Sequence, residues 1–330
     1  MKHISILIPE GDISITNVEG THQIFSQVNS FLAGEGKQPL FKVQLVGLSK
    51  ETRIKKGLFS IHPDVLINEI NNTDLVIIPA IQSDMRKALE ANQAFIPWLI
   101  QKYKGGAEIA SLCIGSFLLA STGLLSGRKC ATHWVAANDF RNMFPDVILM
   151  PDQVITDENG IYSSGGAYSS LNLILYLVEK YAGRDMAILC SKIFQIEFER
   201  NSQSQFMIFH AQKDHEDDVI KKAQDFIEKN YHEKITVDEM ATMLAISRRN
   251  LERRFKKVTF NSIIEYVQRV RIEAAKMSLE KNRENVSEAM YKAGYTDTKA
   301  FRTTFKKLTG LSPLEYRNKY SRSAMLAKHD

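Results

Sequence analysis

Residues 237–259 and 286–309 contain the same unit written twice. The first reads VDEMATMLAISRRNLERRFKKVT and the second reads VSEAMYKAGYTDTKAFRTTFKKLT. Val237 recurs as Val286, an offset of 49, and Phe255 recurs as Phe305, an offset of 50. Each copy is predicted to form a short helix, a tight turn and a second helix with apolar residues at i and i+4. The repeat therefore predicts two helix-turn-helix units.

The second helix of each unit is predicted to bury one face and to expose cations on the other. At 100° per residue, Leu251 and Phe255 share a face in the first copy, as Phe301 and Phe305 do in the second. A helix of this kind fits the major groove of DNA, where Arg bonds to guanine and Lys or Thr serves bases or phosphates. The predicted DNA-binding residues are Arg248, Arg249, Asn250, Arg253, Lys256, Lys257, Thr298, Lys299, Arg302, Thr303, Lys306 and Lys307.

Within that set, Arg249, Arg253, Lys299 and Arg302 are predicted to contact base edges, and the lysines one turn further on are predicted to contact phosphates. The charge of the chain agrees with a polyanionic partner. Residues 219–330 hold 24 Lys+Arg against 14 Asp+Glu, a net +10, so the rest of the chain carries −5 of the total +5. A single basic helix is equally consistent with a solvated surface, but two matching copies favour double-stranded promoter DNA.

Residues 219–320 resemble the AraC-type regulator domain, in which a long helix joins two helix-turn-helix units. The first unit matches at Ala241, Leu244 and 247–255, and the second at 293–295 and 310–313. The predicted bridge runs from Ser262 to Lys281, with Ile263, Val267, Val270, Ala274 and Met277 along one stripe. The resemblance implies an all-α domain with a double helix-turn-helix. Thr236 and Glu239 have the spacing of a capping box before the first unit.

Residues 1–205 alternate β-rich runs with helical patterns, which predicts an α/β domain of doubly wound type. The segment 206–218 is polar and is predicted to be a linker, and 321–330 to be a loose tail. The predicted strands are Ile4–Ile8, Phe41–Leu48, Leu75–Pro79, Ile109–Leu112 and Ile161–Ser163. The predicted helices are Val18–Phe31, Gln93–Tyr103, Gly115–Leu125 and Leu171–Lys180.

Cys113 follows an apolar strand and precedes a helix, so it is predicted to lie at a strand-to-helix elbow. A helix N-terminus stabilises a thiolate, and His133 is the nearby candidate for a Cys–His pair. The alternative for His133 is a hydrogen-bonded structural histidine.

The stretches 113–120, 123–134 and 163–172 resemble the PfpI-like members of the class I glutamine amidotransferase-like superfamily that are fused to AraC-type domains. The resemblance implies a flavodoxin-like sandwich with a pocket around Cys113. Asn17 stands where enzymes of the superfamily carry an acid, and Pro79-Ala80-Ile81 replaces a glycine-rich turn. These differences favour a catalytic site that has lost its activity and serves as a ligand pocket or a dimer core. The predicted pocket residues are Asn17, Glu19, Ala80, Cys113, Ile114, His133 and Gly166.

These observations together predict a cytoplasmic transcription regulator that binds promoter DNA. Its α/β domain would sense an unidentified small molecule or form a homodimer, and RNA polymerase is an expected partner. Two alternatives stay open for the α/β domain. It could be a Cys-dependent amidase, hydratase or peptidase-like enzyme tethered to DNA, with Cys113 and His133 as its catalytic residues, or Cys113 could sense redox state.

Cysteine usage and hydropathy limit the other classes. The three cysteines include no CxxC pair and lack the spacing of a zinc site, so we expect no metal, no cofactor and a reducing compartment. The first apolar run meets Pro9 and Glu10 too early for a signal peptide, and no run approaches the ~20 apolar residues of a membrane span.

Overall fold

The computed structural model describes residues 1–198, 202–209, 212–213, 215–281 and 284–321. The chain divides into two compact units, Met1–Gln203 and Ser204–Asp330. The predicted tail beyond Ser321, and residues 210, 211 and 214 of the predicted linker, lie outside the described residues.

The first unit is built on a seven-stranded sheet with two small two-stranded sheets beside it. The strands are β1 (Lys2–Ile8), β2 (Phe41–Gly47), β3 (Thr52–Ile54), β4 (Phe59–Ile61), β5 (Val65–Leu66), β6 (Leu75–Ile78), β7 (Glu108–Leu112), β8 (Lys129–Cys130), β9 (Ile148–Leu149), β10 (Ile155–Glu158) and β11 (Ile161–Ser164). The large sheet has the order β10-β11-β7-β6-β1-β2-β5, with only β10 antiparallel to its neighbour. All four residues of β6 are buried, as expected of a central parallel strand.

Two groups of helices pack with this sheet. The helices are α1 (Ile15–Gly34), α2 (Met85–Ala91), α3 (Phe95–Lys104), α4 (Ser116–Ser121), α5 (Ala137–Met143), α6 (Leu171–Ala182) and α7 (Arg184–Ile193). α1, α6 and α7 contact one another, whereas α4 contacts α2 and α3. Because the strand order reverses between β1 and β6, the flavodoxin-like, doubly wound prediction is confirmed. Ligands in such folds bind beyond the carboxyl ends of the strands near this reversal.

Several local details differ from the sequence predictions. The short strands β3, β4, β5, β8, β9 and β10 and the helices α2, α5 and α7 were not predicted. The predicted helix 115–125 is shorter. A 3₁₀ turn occupies Cys113–Gly115 ahead of α4, and Gly123, with a φ of +75°, follows the end of the helix.

Among the described residues of the second unit, the regular secondary structure is helical. Its helices are α8 (Asp218–Asn230), α9 (Val237–Met243), α10 (Arg248–Thr259), α11 (Ile263–Lys281), α12 (Val286–Lys292), α13 (Thr298–Thr309) and α14 (Pro313–Tyr320). The capping box predicted at Thr236 and Glu239 is confirmed, and Asn285 with Glu288 forms the matching box before α12. The two copies of the sequence unit therefore fold as two helix-turn-helix units with the same start signal.

The bridging helix α11 serves two separate cores on different faces. Ile263 and Tyr266 pack with the first core, whereas Ile272 and Leu279 pack with the second. At 100° per residue these pairs lie on roughly opposite sides of the helix. The predicted single stripe is therefore wrong in its second half, and Met277 is 45% exposed. One helix can connect two units only by changing its buried face, which a single stripe does not anticipate.

Candidate nucleic-acid interface and cysteine site

The helices α10 and α13 are held in the same way. Buried residues recur every four positions, and those between them are exposed or half-buried. The buried residues are Leu251, Phe255 and Thr259 in α10, and Phe301, Phe305 and Thr309 in α13. Leu251 and Phe255 are fully buried in the first core, and Phe301 and Phe305 in the second. This shared anchoring leaves the opposite face of each helix exposed.

The exposed face of α10 is cationic. Arg249, Arg253, Lys256 and Lys257 are all exposed. Measured round the axis at 100° per residue, these four lie within about 60° of the direction opposite the core. The structure thus groups the side chains that the sequence predicted to contact DNA, with Asn250 half-buried beside them.

Two of the predicted DNA-binding arginines of α10 are already bonded within the protein. Arg248 donates to Asp238 of α9 at 3.0 Å and to Glu252 at 3.1 Å, so it braces the unit. Arg253 donates to the side-chain oxygen of Asn250 at 3.0 Å. The side chain of Arg249, in contrast, makes no hydrogen bond or ion pair with any residue that the structure describes. Its guanidinium is therefore the most available of the set for a base.

The second copy presents a different surface. Lys299, Thr303, Lys306 and Lys307 are exposed at the positions that match the four cations of α10. Arg302 is also exposed, but it matches Glu252 and so lies at the flank of this face. Thr298 begins α13 directly after its N-cap, Asp297, whose carboxylate accepts from two backbone N–H groups. The copies are thus alike in shape and different in chemistry.

The turns of the two units differ by one residue. Ala245 of the first copy and Gly294 of the second both have positive φ, at 53° and 79°. A side chain at Gly294 would lie 2.7 Å from the backbone oxygen of His232. Glycine is therefore required in the second turn for close approach as well as for its backbone angle.

In the first unit, Cys113 lies at the predicted elbow between β7 and α4. Its φ is 55°, a strained value for a residue with a side chain, and it is only 6% exposed. A side chain at Gly115 would come within 2.6 Å of the carbonyl oxygens of Ile78 and Pro79, so glycine lets the elbow pack against the end of β6. Burial raises the pKa of the Cys113 thiol to about 12, although a hydrogen bond from the backbone of Ile114 opposes this. The thiol is consequently neutral at pH 7.

Asn17, on α1, is buried near the carboxyl end of β6. It is 1% exposed, its Oδ1 accepts from the backbone N–H of Ala80 at 3.1 Å, and its Nδ2 donates to Ser170 at 2.9 Å. The N–H of Ala80 is thus already used by Asn17 and is not free to donate to an oxyanion. Glu19 lies about 200° further round the same helix and is exposed, outside this buried cluster.

His133 is close in sequence to the site but is not hydrogen-bonded to Cys113. Its Nδ1 accepts from the backbone N–H of Val135 at 3.2 Å, and burial lowers its pKa. The residue before it makes the contact instead, because Thr132 Oγ1 donates to the carbonyl of Cys113 at 3.4 Å. Ser164 accepts from the Cys113 N–H at 3.4 Å, and Gly166, with a φ of +74°, is buried two residues beyond.

Several residues of this cluster were not predicted. Thr132 and Ser164 lie within the quoted motifs, but a hydroxyl in a motif does not reveal its partner. Gln203 also reaches this region and carries no signal in the sequence.

Among the described residues there is no group of three or more His, Cys, Asp or Glu side chains that could hold a metal ion. No helix in the described part of the chain is long and apolar enough to span a membrane.

Comparison with known families assigns both units. Residues 240–319 match the family described as a helix-turn-helix domain, which covers α10, α11 and α13. Residues 31–180 match the DJ-1/PfpI family, which covers the elbow at Cys113 and the strand-end region around it.

Individual proteins agree with these assignments. The chain is 27% identical over 268 residues to the HTH-type transcriptional regulator GbdR of Pseudomonas aeruginosa, covering 78% of this chain and 69% of that protein. It is 30% identical over 92 residues to isonitrile hydratase of Pseudomonas putida, covering 27% of this chain and 37% of the enzyme.

The crystal structure of an AraC family transcriptional regulator from Pseudomonas putida superposes with a TM-score of 0.51. At 15% identity, over 59% of this chain and all of that one, this match concerns the fold alone. Together, the two family matches and the similarity to GbdR cover parts of both units of the chain. The chain therefore carries an N-terminal DJ-1/PfpI domain followed by a helix-turn-helix domain of the AraC type, and its relatives include HTH-type transcriptional regulators.

Proposed function

We propose that this protein is a cytoplasmic regulator that reads promoter DNA with α10 and α13 and senses a small molecule in its DJ-1/PfpI domain. The observation that carries the proposal is the duplicated arrangement of the two helices. Each buries two large apolar residues and exposes cations or Thr on the opposite face. Two such helices joined by α11 are expected to enter successive major grooves, about 34 Å apart.

The two helices would have different roles. Arg249 and Arg253 are suited to bidentate bonds with guanine, so α10 is proposed to supply most of the base discrimination. Lys306 and Lys307 are point charges that suit phosphates, and Lys299 with Thr303 forms a surface less specific for guanine, so α13 is proposed to supply more of the affinity. Homodimerisation through the first unit and contact with RNA polymerase are further parts of the proposal.

A ligand site is favoured over a catalytic one at Cys113 by the groups around it. A thiol with a pKa of about 12 is a poor nucleophile at neutral pH, and no hydrogen bond from His133 activates it. Asn17 replaces an acid, and it occupies the N–H of Ala80. The same neutral thiol would oxidise slowly, which also disfavours a redox sensor.

The second candidate is a Cys-dependent hydrolase or hydratase, and the strained elbow favours it. A φ of 55° at Cys113 is the geometry that exposes a nucleophile in superfamily enzymes with such a turn. Under this alternative, Cys113→Ser would abolish turnover of an amide or nitrile-type substrate. Under the regulator proposal, the Cys113→Ser protein still regulates transcription in response to the ligand.

The DNA-reading proposal is tested with the double variant Arg249→Ala/Arg253→Ala. Genomic fragments captured by the purified full-length protein are sequenced for both proteins. Each lost bidentate contact should cost roughly 1–3 kcal/mol, so the variant should no longer enrich the wild-type sites. Lys222→Ala/Lys229→Ala is the matched control, because it removes the same charge from exposed positions of α8. An unchanged set of captured sites in the arginine variant would exclude α10 as the reader.

A further inference from the structure

Gln203 is the last residue of the first unit, and its side chain is buried against the Cys113 site. It is 2% exposed, and its Nε2 donates to the backbone carbonyls of Thr132 at 2.9 Å and Gln153 at 3.1 Å. These two acceptors define which end of the amide is nitrogen, since the reverse orientation would set oxygen against oxygen. The chain is also held here by the backbone bond from Gln203 N to Asp152 O at 2.9 Å.

The amide lies between two elements that also hold Cys113. Thr132, which it bonds, donates through its own hydroxyl to the Cys113 carbonyl. On the other side is Gly165, next to Ser164, where an added Cβ would lie only 2.0 Å from the Gln203 Nε2. Thr132 therefore bonds both Cys113 and Gln203, and the neighbours Ser164 and Gly165 contact Cys113 and Gln203 respectively.

One polar atom of the Gln203 side chain is not satisfied by the part of the protein that the structure describes. Its Oε1 is buried and has no hydrogen-bond partner among the residues that the structure describes. A buried acceptor without a partner is unfavourable, and native structures contain few of them. An N–H or O–H donor carried by a ligand would satisfy this oxygen.

The segment that begins at the next residue packs on the DNA-binding unit, and we call its described residues, 204–209, 212–213 and 215–217, the strap. Its first turn, Ser204–Phe206, packs against α13. A side chain at Gly310, which caps α13, would lie 4.0 Å from Ser204 Cβ. Lys319 of α14 donates to Gln205 at 2.7 Å. The sequence predicted most of this stretch to be a linker, but its described residues are closely bonded.

The middle of the strap completes a buried ion pair on α11. Lys276 is 4% exposed and lies 2.8 Å from Glu273. The strap supplies the remaining partners, because Lys276 Nζ donates to the Met207 carbonyl at 2.7 Å and Glu273 accepts from the Phe209 N–H at 3.1 Å. A buried pair needs such additional bonds to offset its desolvation. The Phe209 ring also packs at 5.0 Å on Tyr266.

The end of the strap contacts α10, and we call α10 and α13 the reading helices because both are proposed to bind DNA. Asp217 caps α8 by accepting from the Ile220 N–H, and it also receives a bidentate pair of bonds from Arg254 of α10, at 2.9 and 2.5 Å. Bidentate Arg–carboxylate pairs are strongly oriented. One short segment therefore contacts α13 at its start and α10 at its end.

We propose that Gln203 is the positioning residue through which occupancy of the Cys113 site reaches the two reading helices. A ligand that bonds Gln203 Oε1, or displaces the amide from Gly165, changes how firmly the start of the strap is held. Because the strap contacts both α10 and α13, a change in how firmly it is held changes how firmly the spacing between these two helices is fixed. This inference rests on the proposed role of the Cys113 site as an effector site.

The test uses the full-length protein without any ligand. Gly165→Ala forces the amide from its position, and Gln203→Ala removes it without adding bulk, so a folded variant is available if the first fails. Gly34→Ala is the matched control, because a side chain there has no atom within 4 Å. Hydrogen exchange is followed in peptides covering 204–209, and DNA affinity is measured on a captured site and on one whose α13 half is scrambled.

Both variants should speed exchange in the strap by about tenfold, since two hydrogen bonds that hold its start are lost. Affinity for the intact site should fall by about the same factor, while affinity for the half-scrambled site should hardly change, because only the intact site requires a fixed spacing. Unchanged strap exchange in both variants would overturn the proposal, as would faster exchange with equal effects on the two DNA sites. The exchange result does not depend on DNA, so it stands apart from a failure of the Arg249/Arg253 test.

Discussion

The bonds that arginines of α10 already make within the protein predict an order of importance among three of them for DNA binding. The perturbation is a single Arg→Ala change at 248, 249 or 253, each of which removes one charge. Arg249 has no partner within the described part of the protein, so nothing offsets the loss of its DNA contact. Arg253 must exchange its bond to Asn250, and Arg248 must leave both Asp238 and Glu252.

The magnitudes follow from those contacts. Loss of a bidentate base contact at Arg249 should cost about 1–3 kcal/mol, or roughly five- to 150-fold in affinity for the specific site. At Arg253 the net loss should be smaller by about 1 kcal/mol, the value of the neutral hydrogen bond that DNA binding replaces. At Arg248 we expect less than about a threefold change, because its guanidinium already serves two carboxylates.

The assay is fluorescence anisotropy with a captured site and a scrambled duplex, each titrated at several salt concentrations. The ratio of the two affinities separates base recognition from charge, because a lost phosphate contact reduces the salt slope by about 0.9 and weakens both duplexes alike. The specificity ratio should fall most for Arg249→Ala and least for Arg248→Ala. An equal or larger fall for Arg248→Ala would refute the idea that internal pairing decides which arginine reads DNA.

Two further predictions concern backbone geometry and protonation. Gly310→Ala should lower the free energy of unfolding by about 1 kcal/mol in urea titrations, because Gly310 has a φ of +76°, whereas Gly34→Ala should not; equal effects would contradict the argument. Because the pKa of Cys113 is raised to about 12, its alkylation by iodoacetamide, followed by mass spectrometry, should accelerate about tenfold per pH unit from about pH 7 to 10. A plateau near pH 8 would reveal a stabilised thiolate and favour the enzyme alternative.

The helix-turn-helix units were predictable because their residues obey short-range rules. Helical spacing alone sets Leu251, Phe255, Phe301 and Phe305 on buried faces, and burial in the structure agrees. The capping box at Thr236 is likewise a property of residues three apart. In the first unit, apolar strands such as β6 and the elbow at Cys113 were also indicated by local pattern.

The bonds made between distant residues were not predictable in this way. A one-stripe interpretation of α11 failed at Met277, because the helix changes the core it faces halfway along its length. Glu19 and Asn17 were both predicted to line the pocket, yet only Asn17 turns inward, to Ala80 and Ser170. The pairing of Arg254 with Asp217, 37 residues away, has no periodic signature either.

By itself, the sequence determined the duplicated unit, the basic face of each reading helix and the α/β character of the first unit, because these depend on periodicity, charge and turn chemistry along the chain. Only the tertiary structure decided that the Arg249 side chain has no partner among the described residues, that Asn17 bonds Ala80 and Ser170, and that Gln203 and the strap are bonded at both ends. Those features depend on partners 37 to 71 residues apart for the pairs Asp217–Arg254 and Thr132–Gln203. Packing selects such partners, and no local pattern in the chain encodes them.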